Sequence, residues 1–170
     1  MPWIETVSPV AAEGELAELY RAIGGARGGV ADIHQVQSLN PRAMAAHLAL
    51  YKAIVFQRSS LSRVERERIG VVVSAVNACA YCVAHHGQAL RNLGEDPAIA
   101  DALERGEVDG APVPEAELAT LRAHGYDDRA LLDAALTVGY YNFVNRLVLL
   151  LGVELEPGFE ATCAPDMAGA

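Results

Sequence analysis

The spacing of apolar residues is the feature of this 170-residue sequence that most constrains its fold. Along most of the chain, apolar side chains recur three or four residues apart, the period of one face of an α-helix, and no segment alternates cleanly as a half-buried strand would. We therefore predict an all-α protein, a compact bundle of about six to seven helices. Because 52% of the residues are apolar, the chain can bury a core of its own.

Capping residues predict where individual helices begin. Ser62 and Glu65 form the S-x-x-E pattern of a capping box ahead of a helix over 63–76. Asn77 fits an N-cap, so we predict a break there and a new helix over 78–92. Other helices are expected at 15–23, from 41 to about 57, from 97 onward, at 114–123, and from 127 or 128 to 151, with turns over 106–114.

One domain over residues 1–156 is predicted, followed by a loosely ordered tail over 157–170. The net charge of -9 argues against sequence-independent binding to nucleic acid and against an anionic membrane surface. No basic, apolar leader opens the sequence, so we expect a cytoplasmic protein. The apolar stretch 131–151 is interrupted by polar and charged residues and predicts a buried core helix instead of a membrane span.

Residues 67–86 hold the chemically informative motif. Cys79 and Cys82 lie three residues apart on a predicted helix, close enough for a disulfide after modest adjustment of the first turn. In that turn the unpaired amides and the helix dipole would stabilise a thiolate on Cys79. His86 lies one turn beyond Cys82 on the same face and can take or return its proton.

Glu67 lies twelve residues before Cys79, a distance of about 18 Å if the helix were straight. The predicted break at Asn77 would let the two helices pack together, so that Glu67 faces the thiols from an apolar wall. We expect burial to raise its proton affinity and to let it relay protons through His86.

Other interpretations of this motif stay open. The two cysteines can be small buried apolar residues, or Cys79, Cys82 and His86 can supply three zinc ligands. A c-type haem is excluded because Val83 stands where the attachment motif needs histidine, and a thioredoxin domain lacks its βαβ pattern here. We expect no bound metal or cofactor.

Several further segments carry a resemblance to a known family. Besides Ser62 and Glu67, these are Ser38-Leu39-Asn40-Pro41, Val73-Ser74-Ala75-Val76-Asn77, Cys79-Ala80-Tyr81-Cys82-Val83-Ala84-His85-His86-Gly87, Tyr141-Asn142-Phe143-Val144-Asn145-Arg146 and Leu151-Gly152-Val153-Glu154-Leu155. Together they resemble the alkylhydroperoxidase D and carboxymuconolactone decarboxylase superfamily, and most closely its peroxidase-related branch. The core of the resemblance spans residues 61–93.

The resemblance implies a thiol-dependent peroxidase that reduces alkyl hydroperoxides with an all-helical, oligomeric fold. By position, Cys82 would attack the peroxide, Cys79 would close the disulfide, and His86 and Glu67 would form a proton relay. It also implies reduction by an external dithiol, in the best-understood members a lipoyl-bearing protein. Alkylhydroperoxidase D has histidine at the position of Tyr81. Composition separately predicts a homo-oligomer, because a small helical domain rich in Ala, Leu and Val usually has an apolar helix face that its own core does not cover.

Other functions use the same residues. The chain can be a general thiol–disulfide oxidoreductase on a small molecule or protein, or a non-catalytic redox sensor, whereas muconolactone decarboxylation would give the cysteine pair no role. The remaining polar residues have simpler interpretations. We expect surface or interface positions for His34, His47 and His124, a bystander thiol at Cys163, a solvated face containing Arg63 and Arg66, and a helix contact made by Asn142, Asn145 and Arg146.

Overall fold

The computed structural model describes residues 2–27, 29–106 and 115–163, and every regular element within them is a helix. The predicted all-α fold is therefore confirmed. In chain order the elements are α1 (Gly14–Arg27), α2 (Asp32–Gln35), α3 (Pro41–Val55), α4 (Arg63–Val76), α5 (Ala80–Asn92), α6 (Pro97–Glu104), α7 (Glu115–Ala123), α8 (Asp128–Leu151) and a final 3₁₀ helix (Phe159–Thr162).

Helix α4 begins at the predicted capping box. The Ser62 hydroxyl accepts the Glu65 backbone N–H at 3.2 Å, and the Glu65 carboxylate accepts the Ser62 backbone N–H at 2.6 Å. These bonds satisfy two of the amides that the first turn of a helix leaves without a partner. The helix runs to Val76, as predicted.

The turn between α4 and α5 differs from the prediction. Asn77 is the C-cap of α4 and not an N-cap, and Cys79 is the N-cap of α5. Between them Ala78 adopts the left-handed conformation with φ 54°. The Cys79 N–H donates to the Ser74 carbonyl and the Ala78 N–H to the Ala75 carbonyl, both at 2.9 Å. This is a Schellman motif with alanine where glycine is usual, and no residue type signals it in the sequence.

The end of one other helix differs from the prediction. Helix α1 continues through the Gly24-Gly25 pair to Arg27 instead of ending at residue 23. At the other end, residues 157–163 include the 3₁₀ helix, which contacts α5. Residues 107–114, which include most of the predicted turn segment, and residues 164–170 lie outside the described part of the chain. The division between the domain and its tail stays a prediction.

Helix α4 lies at the centre of the bundle and packs mainly against α5 and α8. Gly70 makes the contact between α4 and α8 possible, because a Cβ atom there would lie 2.7 Å from the Tyr141 ring of α8. Polar contacts fix the same pair of helices, since Ser74 donates to Asn145 at 3.2 Å and Asn77 donates to Asn142 at 2.9 Å. The predicted helix contact of these asparagines is confirmed, and it anchors the turn that precedes Cys79.

A second link between α4 and α8 is a buried ion pair. Arg66 is fully buried, its Nη2 lies 3.2 Å from the Asp133 carboxylate, and its Nη1 donates to the Ile54 carbonyl at 2.9 Å. Arg129 also donates to Asp133, at 2.9 Å. The prediction of a solvated face was therefore wrong for Arg66, because these partners compensate the loss of water around its charge.

Helix α8 is, by length and composition, long and apolar enough to cross a membrane. In this fold it contacts α3, α4 and α5. Asp133, Thr137 and Asn145 are buried on its inward face, where they contact protein groups, as buried polar groups require.

Candidate active site

The cysteine pair occupies the start of α5. Cys79 is the N-cap, Cys82 lies in the first turn, and their Cα atoms are 5.4 Å apart with the two sulfurs joined in a disulfide. Both residues are buried, at 0% and 1% exposure. Both cysteines lie at the N-terminal end of α5, where the first amides of a helix have no intrahelical partner. The helix dipole therefore favours a thiolate on either sulfur.

Glu67 and His86 meet across the contact between α4 and α5. The Nδ1 atom of His86 lies 2.8 Å from Oε2 of Glu67, and the Glu67 side chain is fully buried. Because Nδ1–H donates to the carboxylate, Nε2 is the nitrogen left to exchange a proton with a thiol. His86 follows Cys82 by one helical turn, and both line the same cavity. The turn at Ala78 thus brings together Glu67 and His86, as predicted.

Arg63 completes this group from the preceding turn of α4. It forms an ion pair with Glu67 and lies over the Phe56 ring at 4.2 Å. Burial raises the pKa of Glu67, but His86 and Arg63 together lower it by a larger amount. The pKa of Glu67 therefore lies below its ordinary value. The expected rise in proton affinity was wrong, because the prediction placed Arg63 on a solvated face. Glu67 is therefore a buried carboxylate held between His86 and Arg63.

Tyr141 closes the site from α8. Its ring contacts the His86 ring with centroids 4.4 Å apart, and its hydroxyl lies 3.5 Å from Glu67 Oε2. Burial, and then the neighbouring Glu67, raise its pKa well above the ordinary value. The phenol therefore stays protonated and donates toward the carboxylate.

A cavity of about 70 Å³ opens beside Cys82, enough for a few water-sized molecules. Cys79 is not among its lining residues, so Cys82 is the sulfur that a small molecule would meet. The lining consists largely of ring side chains and is completed by aliphatic and polar groups; it comprises Ala31, Ile33, His34, His47, Tyr51, Arg63, Glu67, Tyr81, Cys82, His85, His86, Ala89, Tyr140, Val144, Thr162 and Cys163.

His34 and His47 are buried in the cavity wall, at 3% and 4% exposure, so the expected surface positions were wrong. The Nε2 atom of His47 lies 2.9 Å from the Tyr140 hydroxyl, and its Nδ1 contacts the Gln37 side chain. Burial lowers the pKa of His47 to about 4. His47 is therefore neutral near pH 7. No local motif distinguishes these two histidines, because α2 and α3 reach the site only through the tertiary fold.

Tyr81, between the two cysteines, points toward α2. Its hydroxyl accepts the Ile33 backbone N–H at 3.2 Å, and its ring contacts the His85 ring at 4.4 Å. Burial, and then Glu156, raise its pKa above the ordinary value. Cys163, which the sequence predicts as a bystander thiol, also lines the cavity and contacts His85.

The zinc alternative finds no support in the arrangement of the site. Within the described ranges, no three histidine, cysteine or acidic side chains are grouped as metal ligands. Of the three ligands considered, Cys79 and Cys82 are joined to each other, and His86 donates to Glu67.

Comparison with known proteins places this site in a family. Residues 41–124, which span α3 to α7 and include both cysteines, match the model of the carboxymuconolactone decarboxylase family. The uncharacterized protein YdfG of Bacillus subtilis (strain 168) is 28% identical over 117 residues, covering 56% of this chain and 79% of YdfG.

Two solved structures share the fold over almost the whole chain. An uncharacterized peroxidase-related protein from Silicibacter sp. TM1040 is 26% identical with a TM-score of 0.79, covering 95% of this chain and 97% of its own. A second, described as an alkylhydroperoxidase AhpD core and peroxidase-related protein from Ralstonia eutropha JMP134, is 24% identical with a TM-score of 0.82, covering 95% and 96%. The family and these neighbours indicate an enzyme. The chain belongs to the alkylhydroperoxidase D and carboxymuconolactone decarboxylase superfamily, in its peroxidase-related branch.

Proposed function

We propose that this protein is a thiol-dependent peroxidase that reduces small alkyl hydroperoxides and cycles Cys79 and Cys82 between dithiol and disulfide. The observation that carries the proposal is the position of Cys82. It lines the cavity one helical turn from His86, whose other nitrogen is held at 2.8 Å by the buried Glu67 carboxylate. An activated thiol, a base and a group that orients the base are the parts that nucleophilic thiol catalysis needs.

In the first half-reaction, Cys82 transfers its proton to Nε2 of His86, and Glu67 stabilises the imidazolium. The Cys82 thiolate attacks the terminal oxygen of the hydroperoxide, and the O–O bond breaks. Sulfur keeps the hydroxyl group as a sulfenic acid, while the alkoxide takes the proton from His86 and leaves as an alcohol.

In the second half-reaction, Cys79 attacks the sulfur of Cys82. The new S–S bond displaces hydroxide, which leaves as water with the proton of the Cys79 thiol. The Cα distance of 5.4 Å lies within the range of ordinary disulfides. The backbone therefore does not have to move far between the two redox states.

The reductant must reach a buried disulfide. Both sulfurs belong to fully buried residues, and only Cys82 lines the cavity. A folded protein surface cannot contact a buried sulfur, whereas a thin, flexible dithiol can enter beside Cys82. This favours a lipoyl-type arm over direct contact with a protein thiol, and it also favours a small hydroperoxide over a protein substrate. Because thiol reductants keep the cytosol reducing, we place the reaction in the cytoplasm.

A homo-oligomer is the proposed assembly. Leu132, Leu136 and Phe143 of α8 are 44–55% exposed and lie with Leu50 of α3 around one apolar depression. Such a patch on a small soluble domain is typical of a surface covered by a partner, and a second copy of the chain would cover both depressions at once.

Consumption of tert-butyl or cumene hydroperoxide, with dihydrolipoamide as electron donor, tests the proposed function. The wild-type protein should turn over repeatedly, and Cys82→Ser should lose the activity while keeping its helical circular dichroism. Cys163→Ser, measured in parallel, separates loss of Cys82 from loss of any cysteine. Turnover by Cys82→Ser at the wild-type rate, or no turnover by the wild type with any dithiol tested, would refute the proposal.

A further inference from the structure

The third cysteine is held in the wall of the cavity. Cys163 follows the 3₁₀ helix, is 7% exposed, and its backbone carbonyl accepts the Asn92 side-chain amide at 2.9 Å. Its Sγ lies 3.4 Å from Nδ1 of His85 and 3.5 Å from the Phe159 carbonyl. A histidine nitrogen at hydrogen-bond distance gives the thiol a proton acceptor.

His85 in turn lies beside a carboxylate. Its Nε2 lies 3.5 Å from Oε2 of Glu156, and its ring packs between Tyr81 and Phe159. Burial raises the pKa of Glu156, but His85 and backbone N–H groups together lower it by a larger amount. The pKa of Glu156 therefore lies below its ordinary value. Glu156 is therefore a carboxylate next to His85.

The same three residue types occur at the proposed peroxidatic site. Cys163, His85 and Glu156 are a thiol, a histidine and a carboxylate in series, and Cys82, His86 and Glu67 supply the same groups. The two histidines are consecutive in α5 and serve different cysteines. A thiol paired with an oriented histidine is an activated nucleophile, so the cavity holds two such thiols whenever the disulfide is reduced.

When the disulfide is formed, the electrophile that faces the cavity is Cys82. Cys82 and Cys163 both line the cavity, whereas Cys79 does not. A nucleophile that approaches through the cavity therefore meets the sulfur of Cys82, and Cys79 is the leaving group.

We propose that Cys163 is a third redox cysteine, which attacks Cys82 of the Cys79–Cys82 disulfide. The proton of Cys163 passes to His85, the bond between Cys82 and Cys163 forms, and the bond between Cys79 and Cys82 breaks. Cys79 leaves as a thiolate and takes up a proton from solvent, to which His85 returns the proton it accepted. One thiol and one disulfide are present before and after, so the exchange needs no added oxidant. It also needs no peroxide and does not depend on the proposed peroxidase activity.

The exchange replaces a disulfide within the first turn of α5 by one that links α5 to the segment after α8.

The titratable groups that face His85 and Glu156 are Tyr81 on the same helix, Asp32 of α2 and Cys163 itself. Because Tyr81 has a raised pKa and stays neutral near pH 7, His85 is the group that takes the thiol proton there.

The first experiment asks which sulfur Cys163 can reach. Reduced Cys79→Ser and Cys82→Ser are each oxidised with one equivalent of diamide, digested without reduction, and mapped by mass spectrometry. We expect an intramolecular link between residues 82 and 163 in Cys79→Ser as its main product. Cys82→Ser is the matched control, and only a minor link between residues 79 and 163 is expected there. Equal linkage in both variants, or no link in Cys79→Ser, would overturn the assignment of Cys82 as the target.

The second experiment follows exchange in the wild-type disulfide form, which has one thiol among its three cysteines. N-ethylmaleimide at pH 7 should label Cys163 directly and, through exchange, should also trap Cys79 with residues 82 and 163 linked. His85→Asn should slow that trapping about tenfold or more. His124→Asn, which changes an exposed histidine that does not line the cavity, should trap Cys79 at the wild-type rate. Labelling of Cys163 alone would refute the exchange even if the peroxidase activity is found.

Discussion

Nδ1 of His86 lies 2.8 Å from Oε2 of Glu67, although the two residues are on different helices and 19 positions apart in the chain. The contact leaves Nε2 as the nitrogen available to Cys82. Because Glu67 remains ionised, the imidazolium that forms when His86 accepts a proton has a permanent counter-charge.

The two cysteines of the motif should have unequal roles. In a Cys163→Ser background, Cys79→Ser should still react rapidly with one equivalent of peroxide and stop at a sulfenic acid on Cys82, whereas Cys82→Ser should lose the rapid reaction. The reason is that Cys82 has both the cavity and His86 beside it. Dimedone trapping followed by peptide mapping measures the product, and a sulfenic acid found on Cys79 in Cys82→Ser, formed as fast, would reverse the order of attack.

Glu67→Gln should slow the reaction of Cys82 with peroxide by about 10²-fold or more, since an oriented general base typically contributes that much. The matched control is Glu95→Gln, which removes another carboxylate paired with an arginine of α4, Arg68, but does not line the cavity. Stopped-flow rates under pseudo-first-order conditions compare the two. A folding control by circular dichroism is needed, because Glu67→Gln also leaves Arg63 without its buried counter-charge. Equal rates in both variants would remove Glu67 from the mechanism.

Ala78→Gly should stabilise the protein. Ala78 has φ 54°, and the left-handed conformation costs an L-residue with a Cβ atom about 1 kcal/mol relative to glycine. The expected gain corresponds to a Tm increase of about 2–4 °C. Ala84→Gly, within the right-handed helix α5, should lower stability by about 1 kcal/mol. Urea unfolding of both variants tests the sign, and a loss of stability in Ala78→Gly would contradict the expectation.

Acid should destabilise the protein through His47 before its carboxylates titrate. The pKa of His47 falls from 6.5 to about 4 on folding. Between these values the unfolded chain binds a proton that the folded chain does not, so stability falls as the pH is lowered, by about 3 kcal/mol over the whole interval.

His47→Gln keeps a hydrogen-bonding side chain and removes the titration, so its urea midpoint should change less between pH 6.5 and 4. Glu67, Glu156 and Asp133 have pKa values below their ordinary ones. Their contribution is lost only at lower pH, as each folded pKa is passed, and does not mimic the effect of His47. Parallel curves for the two proteins over this interval would contradict the assignment.

Leu136→Glu should dissociate the proposed homo-oligomer, because it places a charge in the centre of the exposed apolar surface of α8. Light scattering should give a mass above 18.0 kDa for the wild type and the monomer mass for the variant. Val10→Glu, at an exposed apolar residue of the N-terminal segment, should keep the wild-type mass. A wild-type monomer at micromolar concentration would refute the assembly.

Local signals predicted what depends on local contacts. The start of α4 follows from Ser62 and Glu65, and the cysteine motif locates the reactive residues. The start of α5 was misplaced by two residues, because an alanine in a left-handed turn has no signature in composition or periodicity. The charge state of Glu67 was misjudged because a buried and a solvated arginine look alike on a helix of mixed charge.

The contacts that bring Cys163, His34 and His47 to the cavity were not predicted. Cys163 meets His85 across 78 positions, and His47 meets Tyr140 across 93. Each of these residues alone is an ordinary polar side chain in an apolar helix or a short tail. Only the tertiary fold, which brings α2, α3 and the 3₁₀ helix to the same cavity, makes them one wall.

The origin of the two halves of the cavity bears on how such a protein can diverge. Residues that do the proposed chemistry lie within one helical hairpin of 30 residues, Arg63–Asn92, which would be inherited as a block. The opposite wall comes from segments that are not joined to that hairpin by backbone hydrogen bonds. Substitutions at His34, His47 or Thr162 can therefore change which molecules fit the cavity without disturbing the pairing of His86 with Glu67. Substrate preference and reactivity are expected to vary independently among descendants of this fold.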